Sequence, residues 1–374
     1  MTVKLVARNS ALRRLGQIED FRSLTMPLRH NRTSDWRLEL DGASDAVDLL
    51  SLTGGLIVER DGVTLASGPV VDINRKREGG RTTVTVTGVD DSVWLERRLA
   101  LPVPSGPPYT AAAYDIESGV AETVMRTYVN ANLGPGAIAA RQLPRFSLAA
   151  DGLLGSSVNG SARFGTLLET LQGLALAGGD LGFRIVQSGE ALVFEVFEPA
   201  DMTATAIFSV DFGNLLGYEY QQTAPQANYV YVAGEGEGTA RVIVEGGDTA
   251  SVDEHGRFET FRDRRDTADV PTLEQQRSET LDEMQSKTAL SISPIDTDAV
   301  TFGAHYNLGD RVTVVVDGVA IQDVVREVLL TVTPDRGSVL TPVLGTPGAS
   351  SPRVPDLFDA VRRMARRLSF LERR

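Results

Sequence analysis

The chain has 374 residues, of which 42% are hydrophobic, so it is long enough to form several domains with buried cores. Its 50 acidic and 37 basic side chains give a formal charge of −13, which argues against a protein whose main task is to bind nucleic-acid phosphates. It contains no cysteine, which excludes disulfides, thiolate zinc sites and cysteine nucleophiles, and its three histidines leave few nitrogen ligands or bases.

The N-terminal region, residues 1–104, is predicted to be β-structure. Its first residues lack the apolar core of a signal peptide, and no apolar run in the chain is long enough to span a bilayer, so we expect a soluble chain without a membrane segment. Asp61-Gly62 and Gly79-Gly80 separate three runs of alternating residues, and both dipeptides favour tight turns because they accept positive φ. We predict an antiparallel meander within a first β-barrel domain.

The second region, residues 105–205, is predicted to be a small inserted α+β domain. The proline-rich stretch at residues 101–109 is typical of a linker, because proline lacks a backbone donor and favours extended chain. A helix is predicted from about Phe164 to Leu176, and a strand hairpin around Ser188-Gly189. Apolar residues at intervals of four predict an earlier amphipathic helix: Ile116, Val120, Val124 and Tyr128.

The third region, residues 206–348, is predicted to be a second β-barrel domain with one helix, from Thr272 to about Lys287. Thr272 and Gln275 have the spacing of a capping box at the start of this helix. Together these regions predict a mainly β fold with an α+β insertion. They are predicted to form two related antiparallel β-barrel-like domains, a small α/β domain between them, and a C-terminal helix.

The two β regions contain similar hairpin patterns. Asp61-Gly62 corresponds to Asp317-Gly318, Val70-Val71 to Val324-Val325, and Gly80 to Gly337. Such patterns also arise by chance in β proteins, so an internal duplication and a coincidence both stay open.

The C-terminal region, residues 349–374, is predicted to be a linker followed by a coiled-coil-like helix. Its apolar residues alternate at intervals of four and three, which is the heptad spacing of a self-associating helix. This oligomerisation seam consists of Leu357, Val361, Met364, Leu368 and Leu371. Two other interpretations stay open: an amphipathic helix packed on its own domain, and a basic helix on a membrane surface. The seam is too short to hold copies together without further contacts.

No stretch has the spacing of a catalytic, cofactor or metal site, so we predict none of the three. The glycine-rich Gly234–Gly238 stretch lies between two strand runs with no following helix, which favours a hairpin loop over a phosphate loop. The acidic residues around His255 favour a solvated loop over a metal site, and Asp296–Val300 is too short for a calcium loop. Paired acids such as Asp90-Asp91 stay open as glycosidase carboxylates, because a sequence does not show distances.

The stretch HYNLGDRVTVVVDG, His305–Gly318, combines a possible catalytic cluster with a strand-like run. We interpret it as a turn that leads into a strand, with Asp310 placed to accept hydrogen bonds from local backbone donors. The characteristic residues of this turn are Tyr306, Leu308, Gly309 and Asp310.

The turn resembles the tyrosine-x-leucine-glycine-aspartate signature of the baseplate-hub and tail-tip hub proteins of siphophages, a family related to the hubs of contractile tails and injection systems. Residues 56–68 are similar to the strand, Asp-Gly turn and strand that open the first barrel of those hubs. The order of domains, a barrel, an α/β insertion and a second barrel, also agrees, and the resemblance covers most of residues 20–345.

This resemblance implies a structural virion protein, made in the host cytoplasm and located at the tail tip. It implies a homotrimer whose six similar units adapt a six-fold tail tube to a three-fold tip and form part of the DNA channel. The implied partners are distal-tail or tail-tube ring proteins, the tape-measure protein, a tip or fibre protein at the C-terminal helix, and DNA that passes without sequence-specific contacts. The acidic net charge would keep phosphates from adhering to such a channel.

Two other functions stay open from the sequence. One is a peptidoglycan or polysaccharide hydrolase of the tail tip that uses acidic residues. The other is a host-surface carbohydrate-binding module, for which an aromatic content of 6% and only two tryptophans are unfavourable.

Overall fold

The computed structural model describes residues 3–265, 267–294, 300–335 and 337–345. These residues form two compact units, the first containing the chain up to Tyr218 and Ile292–Leu344, and the second Glu219–Ser291. The predicted division into four domains stays a prediction. The predicted C-terminal helix and its seam lie outside the described residues, as does most of the Asp296–Val300 stretch.

The N-terminal region is built from strands, as predicted. The turn between the fifth and sixth strands places Asp61 and Gly62 at φ +51° and +86°, which confirms the tight hairpin expected there. A short helix, α1 (Val93–Glu96), ends the region. Its strands are β1 (Val3–Arg8), β2 (Arg14–Ile18), β3 (Ser23–Arg29), β4 (Asp35–Asp41), β5 (Gly55–Arg60), β6 (Val63–Glu78) and β7 (Arg81–Val89).

The inserted region contains two helices and two small sheets. Its elements are β8 (Asp115–Val120), α2 (Ala121–Asn132), β9 (Phe146–Leu148), β10 (Ser157–Ala162), α3 (Leu167–Ala177), β11 (Gly182–Ser188) and β12 (Ala191–Phe197). A full capping box between Thr166 and Glu169 starts α3, because each side chain satisfies the other residue's backbone N–H. The apolar faces of α2 and α3 share one buried core that includes Val124, Leu171 and Phe194.

One helix boundary in this region was predicted wrongly. The apolar stripe that began at Ile116 predicted a helix there, but Ile116 lies in β8 and pairs with Ser161 of β10. The helix starts only at Ala121. Pairing with a strand about forty residues later overrides the local helical spacing, since tertiary context routinely outweighs propensity.

The described part of the remaining chain returns to β-structure with two α-helices. Its elements are β13 (Ile207–Ser209), β14 (Leu215–Thr223), β15 (Tyr229–Ala233), β16 (Ile243–Gly247), α4 (Thr249–His255), β17 (Glu259–Asp263), α5 (Val270–Met284), β18 (Lys287–Pro294), β19 (Arg311–Val316), β20 (Val319–Thr333) and β21 (Gly337–Gly345). The chain passes from the first unit to the second within β14 and returns within β18.

The main sheet links strands from both ends of the chain. Its order is β14-β18-β21-β20-β3-β4-β7-β6-β5-β1-β2, with β19 pairing β20 and β13 pairing β19. The order is open at both ends, so no closed barrel is present among the described residues. Its core side chains include Leu24, Trp36, Leu38, Val84 and Val86, each at most 2% exposed.

The second unit has its own small core. A three-stranded sheet, β16-β15-β17, packs Val230, Val232 and Val244 against Leu273 of α5. The start of α5 differs from the prediction, because Asp269 caps the helix by accepting the backbone N–H of Thr272 at 3.1 Å. Pro271 then lies in the first turn, where its missing N–H costs nothing.

Candidate functional site

The acidic pair left open as catalytic carboxylates is a buried structural group. The Asp91 carboxylate is fully buried and accepts two hydrogen bonds from the Arg8 guanidinium, at 2.6 and 2.8 Å, and one from the Ser67 hydroxyl at 2.6 Å. Arg8 also donates to the side-chain oxygen of Gln187 at 2.6 Å. The network therefore joins β1 and β6 to β11 of the inserted region. Removing the charge of either Arg8 or Asp91 would leave the other charge buried without its partner, which would destabilise the fold.

Asp90, next to it, has a separate environment. Its carboxylate accepts hydrogen bonds from the backbone N–H groups of Ser34 and Ser92, both at 3.1 Å. Burial, more than the neighbouring Asp91, raises the pKa of Asp90 to about 7. Its partners are these backbone donors and the Ser34 side chain, which is the arrangement of a structural aspartate.

The other acidic stretches also have structural surroundings. Residues 251–259 were predicted as a solvated loop, but the first five of them belong to the short helix α4 and Glu259 starts β17. The helix forms because the Asp248 side chain accepts hydrogen bonds from the backbone N–H groups of Ala250 and Ser251. Glu259 contacts Arg257 and Tyr231. Within the described ranges, no group of three or more His, Asp or Glu side chains is placed to hold a metal ion. The Gly234–Gly238 stretch is the predicted loop between β15 and β16.

The turn that carries the family resemblance joins separate parts of the first unit. The Asp310 carboxylate accepts hydrogen bonds from the backbone N–H groups of Asn307, at 2.7 Å, and of Ala200, at 2.8 Å. The local bond confirms the prediction for Asp310. The bond to Ala200 was not predicted, and it anchors the start of β19 to the chain that leaves β12.

Gly309 and Tyr306 fix the same turn by close packing. Gly309 has φ +91°, and a Cβ built on it would lie 2.6 Å from Cε1 of His30. Only glycine therefore meets both requirements at this position. The Tyr306 ring is 1% exposed and packs edge-to-face on Phe208 and Phe302, with ring centroids 5.3 and 5.6 Å apart.

A cavity of about 630 Å³ lies beside this turn in the first unit. Its walls include Leu308, Phe183, Phe197 and Phe302, together with the buried His30. Neither ring nitrogen of His30 has a hydrogen-bond partner among the described residues, and burial, assisted by Arg326, lowers the pKa of His30 to about 4. The sequence carried no signal for this site, because it depends on a close approach of segments distant in the chain.

The two meanders match closely in structure. β5, β6 and β7 contain 6, 16 and 9 residues, and β19, β20 and β21 contain 6, 15 and 9. The turns agree as well, since Asp317 and Gly318 have φ +50° and +80°, close to the values of Asp61 and Gly62. Each long middle strand has an irregularity at the same place, after Val70 and after Val325.

The neighbours of the two meanders also repeat. Along the sheet, the order β14-β18-β21-β20 is followed by β3-β4-β7-β6. In each set of four, the last two strands are the final two of a meander, and the first two come from earlier in the chain than that meander. The two sets meet where β20 pairs with β3, through six antiparallel residue pairs from Glu327↔Arg29 to Val332↔Leu24. The described chain thus contains one four-strand arrangement twice.

Solved structures of tail proteins share this fold. A tail protein from Neisseria meningitidis MC58 superposes with a TM-score of 0.57 at 12% identity, covering 93% of this chain and 98% of the other. The 43 kDa tail protein of prophage MuSo2 from Shewanella oneidensis gives a TM-score of 0.57 at 14% identity, covering 94% and 100%. The fold is therefore that of phage tail proteins.

The family follows from the sequence match. The chain belongs to the Siphovirus ReqiPepy6 Gp37-like protein family, whose model matches residues 4–346. A comparison with curated proteins finds no match. Among the described residues, no helix is both long and apolar enough to cross a membrane.

Proposed function

We propose that this chain is a structural virion protein, a trimeric hub at the distal end of a siphovirus tail. It adapts the six-fold tail tube to a three-fold tip and forms part of the DNA channel. The observation that carries this proposal is the four-strand arrangement present twice in one chain. Three such chains around an axis offer six similar units, which is the number needed to meet a six-fold ring.

The proposed partners follow from this position. A tail-tube or distal-tail ring protein contacts one face of the ring, the tape-measure protein and passing DNA occupy its channel, and a tip or fibre protein follows at the C-terminal helix. In this proposal the seam from Leu357 to Leu371 lies on the three-fold axis and assists closure of the ring. The formal charge of −13 favours DNA passage without adhesion.

The hydrolase alternative has less support. The Asp90 and Asp91 carboxylates, which were open as a catalytic pair, are engaged by backbone donors and by Arg8. Glycosidases need two carboxyl groups that face a substrate across a cleft. The other acidic candidates lie in the stretch from Asp253 to Glu259. A test is the release of soluble fragments from purified cell walls by the wild-type chain, compared with the release by its Glu259→Gln variant.

The proposal is tested by the mass of the particle in solution. Light scattering on the full chain should give the mass of three chains, and a chain ending at Gly348 should associate more weakly. A full-length chain that stays monomeric at all concentrations, and also when mixed with purified tail tubes, would contradict the trimeric hub. Fragment release from cell walls that Glu259→Gln abolishes would favour the hydrolase instead.

A further inference from the structure

We propose that the cavity beside the Asp310 turn binds a small organic acid, a molecule with an apolar or aromatic body and one carboxylate group. The apolar walls would enclose the body, and the buried side chains of His30 and Arg60 would bind the carboxylate. A trimeric hub does not need such a ligand, so this site and the proposed function can fail separately.

The cavity has the size and the walls of a small-molecule site. Its volume of about 630 Å³ lies within the roughly 300–1,000 Å³ of pockets that bind small organic molecules. Buried Phe183 and Phe302 are held in place by the rest of the first unit, so the pocket is formed before a ligand binds. The apolar wall combines β3, β6, β11, β12 and the turn before β19, through Leu28, Leu65, Phe183, Phe197, Phe302 and Leu308.

His30 is the wall residue that points to a ligand. It is 5% exposed, and both of its ring nitrogens are buried without a hydrogen-bond partner in the part of the chain that the structure describes. Its position is fixed, because its backbone N–H donates to the Arg326 carbonyl oxygen at 2.9 Å and its ring packs edge-to-face on Phe197. Buried polar atoms usually have a partner, since one without it destabilises the fold. A polar group of a ligand would supply the missing partner.

Arg60 brings a buried positive charge to the same wall. Its side chain is 5% exposed, and Nη1 donates to the Phe302 carbonyl oxygen at 2.9 Å. A guanidinium has five N–H donors and keeps its charge, so it can bind a carboxylate in addition to the contacts it already makes. Charge-assisted hydrogen bonds of this kind are stronger than neutral ones. The polar group that fits this wall is therefore an anionic acceptor.

The acidic residues of the wall leave this position open. Asp310 is buried, but its carboxylate already accepts hydrogen bonds from two backbone N–H groups. The other two acidic wall residues, Asp61 and Glu198, are exposed to solvent. A ligand carboxylate at the buried part of the wall would thus face Arg60 rather than a solvent-exposed acid.

Protonation of His30 depends on the charges around it. Arg326 of β20 disfavours the charged ring and Asp180 favours it, and these two residues pair with each other at 3.1 Å. Arg60 and Asp310 add one charge of each sign at the cavity wall. A bound carboxylate would add a further negative charge next to the ring, which favours the imidazolium form.

This change links binding to the pH. Without a ligand, burial lowers the pKa of His30 to about 4, so the ring is neutral at pH 7. A bound carboxylate would raise this pKa, so binding would take up protons between about pH 5 and 7. The affinity would then rise as the pH falls through this range. A ligand that binds through its apolar body alone would show neither effect.

The test is calorimetric titration of the full-length protein with phenylbutyrate and with phenylbutanol, which has the same body without the charge. We expect the acid to bind more tightly than the alcohol, and to take up protons at pH 6 when buffers of different ionisation enthalpy are compared. His30→Gln should weaken binding of the acid by about tenfold to a hundredfold and abolish its proton uptake. The affinity for the alcohol should change much less.

A second variant tests the cavity itself in case His30→Gln folds poorly. Ala304→Trp places a large ring at an exposed position of the cavity wall and should reduce binding of both probes. Ala112→Trp, at an exposed alanine that is not part of this wall, is the matched control and should bind both probes like the wild type. Near-ultraviolet circular dichroism confirms that each variant is folded.

Three results would overturn the proposal. The first is a wild-type chain that does not bind phenylbutyrate at millimolar concentration. The second is equal affinity for the acid and the alcohol without proton uptake, which would exclude a carboxylate bound beside His30. The third is unchanged binding in both His30→Gln and Ala304→Trp, which would place the bound acid elsewhere on the protein.

Discussion

The Asp310 carboxylate accepts a hydrogen bond of 2.8 Å from the backbone N–H of Ala200, 110 residues earlier in the chain. Through this bond, the turn before β19 holds the end of the inserted region next to the start of the second meander. The characteristic residues of the turn thus connect segments, and their chemistry is structural.

Asp310→Asn should lower the free energy of unfolding of the first unit by about 1–3 kcal/mol, because the amide replaces a charged acceptor of two backbone N–H groups. Chemical denaturation followed by circular dichroism measures the change. Asp335→Asn, at an exposed turn position, is the control and should stay within about 0.5 kcal/mol of the wild type. Equal midpoints for the two variants would show that Asp310 does not hold the segments together.

Gly309→Ala should destabilise the protein more than Gly303→Ala. Both glycines have a similar φ, +91° and +85°, but a Cβ on Gly309 would meet the His30 ring at 2.6 Å, whereas one on Gly303 would meet nothing within 4 Å. Alanine at a positive φ is strained, which should lower the free energy of unfolding by about 1–2 kcal/mol in each variant. The clash with the His30 ring should lower it by at least about 1 kcal/mol more in Gly309→Ala. Thermal unfolding measures the difference, and adding His30→Ala should reduce it. A difference that persists unchanged in the His30→Ala background would exclude the clash as its cause.

Arg8→Met should cost about 3–5 kcal/mol, because it leaves the fully buried Asp91 carboxylate without its charged partner. Arg37→Met, which breaks an exposed ion pair with Glu39, should cost less than about 1 kcal/mol. The double variant Arg8→Met with Asp91→Leu should regain part of the loss, since neither charge is then buried alone. Equal losses for the two single arginine variants would show that the buried network contributes no more than a surface pair.

His30 should make the wild type lose stability as the pH falls from about 6.5 to about 4. Its pKa drops from 6.5 in the unfolded chain to about 4 in the folded one, so over this range the unfolded state binds a proton that the folded state does not. The resulting loss in the free energy of unfolding is up to about 3 kcal/mol. Burial is the main cause of the lowered pKa, Arg326 lowers it further, and Asp180 opposes the shift. His30→Gln should flatten this part of the curve of unfolding free energy against pH. The two curves should run parallel above pH 7, and parallel curves down to pH 4 would exclude His30 as the cause.

Asp90 should make the stability fall as the pH rises, which is opposite to the effect of His30. Its pKa is raised to about 7, so the folded state holds a proton that the unfolded state releases between about pH 4 and 7, and stability falls as the pH rises through this range. Asp90→Asn should remove this loss, measured as unfolding midpoints at pH 5 and pH 8. A variant whose midpoints keep the wild-type difference between the two pH values would refute the assignment.

The turns could be predicted from the sequence because they depend on local conformation. Asp61-Gly62 and Asp317-Gly318 accept positive φ, and the structure has hairpins at both. The Thr166 capping box and the hairpin at Ser188-Gly189 are likewise decided within a few residues. The repetition of spacing between the two meanders was visible for the same reason.

What the sequence by itself determined is therefore the type and order of most elements, the second meander and the local bond of Asp310. Only the tertiary structure decided that Ile116 is in a strand, that Asp91 is the partner of Arg8, and that β20 lies beside β3. The β20–β3 pair joins residues as far apart as Arg29 and Glu327, 298 positions along the chain. Contacts between residues so far apart depend on which strands pair and which side chains become buried in the folded chain. Many strands have equally suitable local sequences, so the spacing of residues along the chain does not reveal which two will pair.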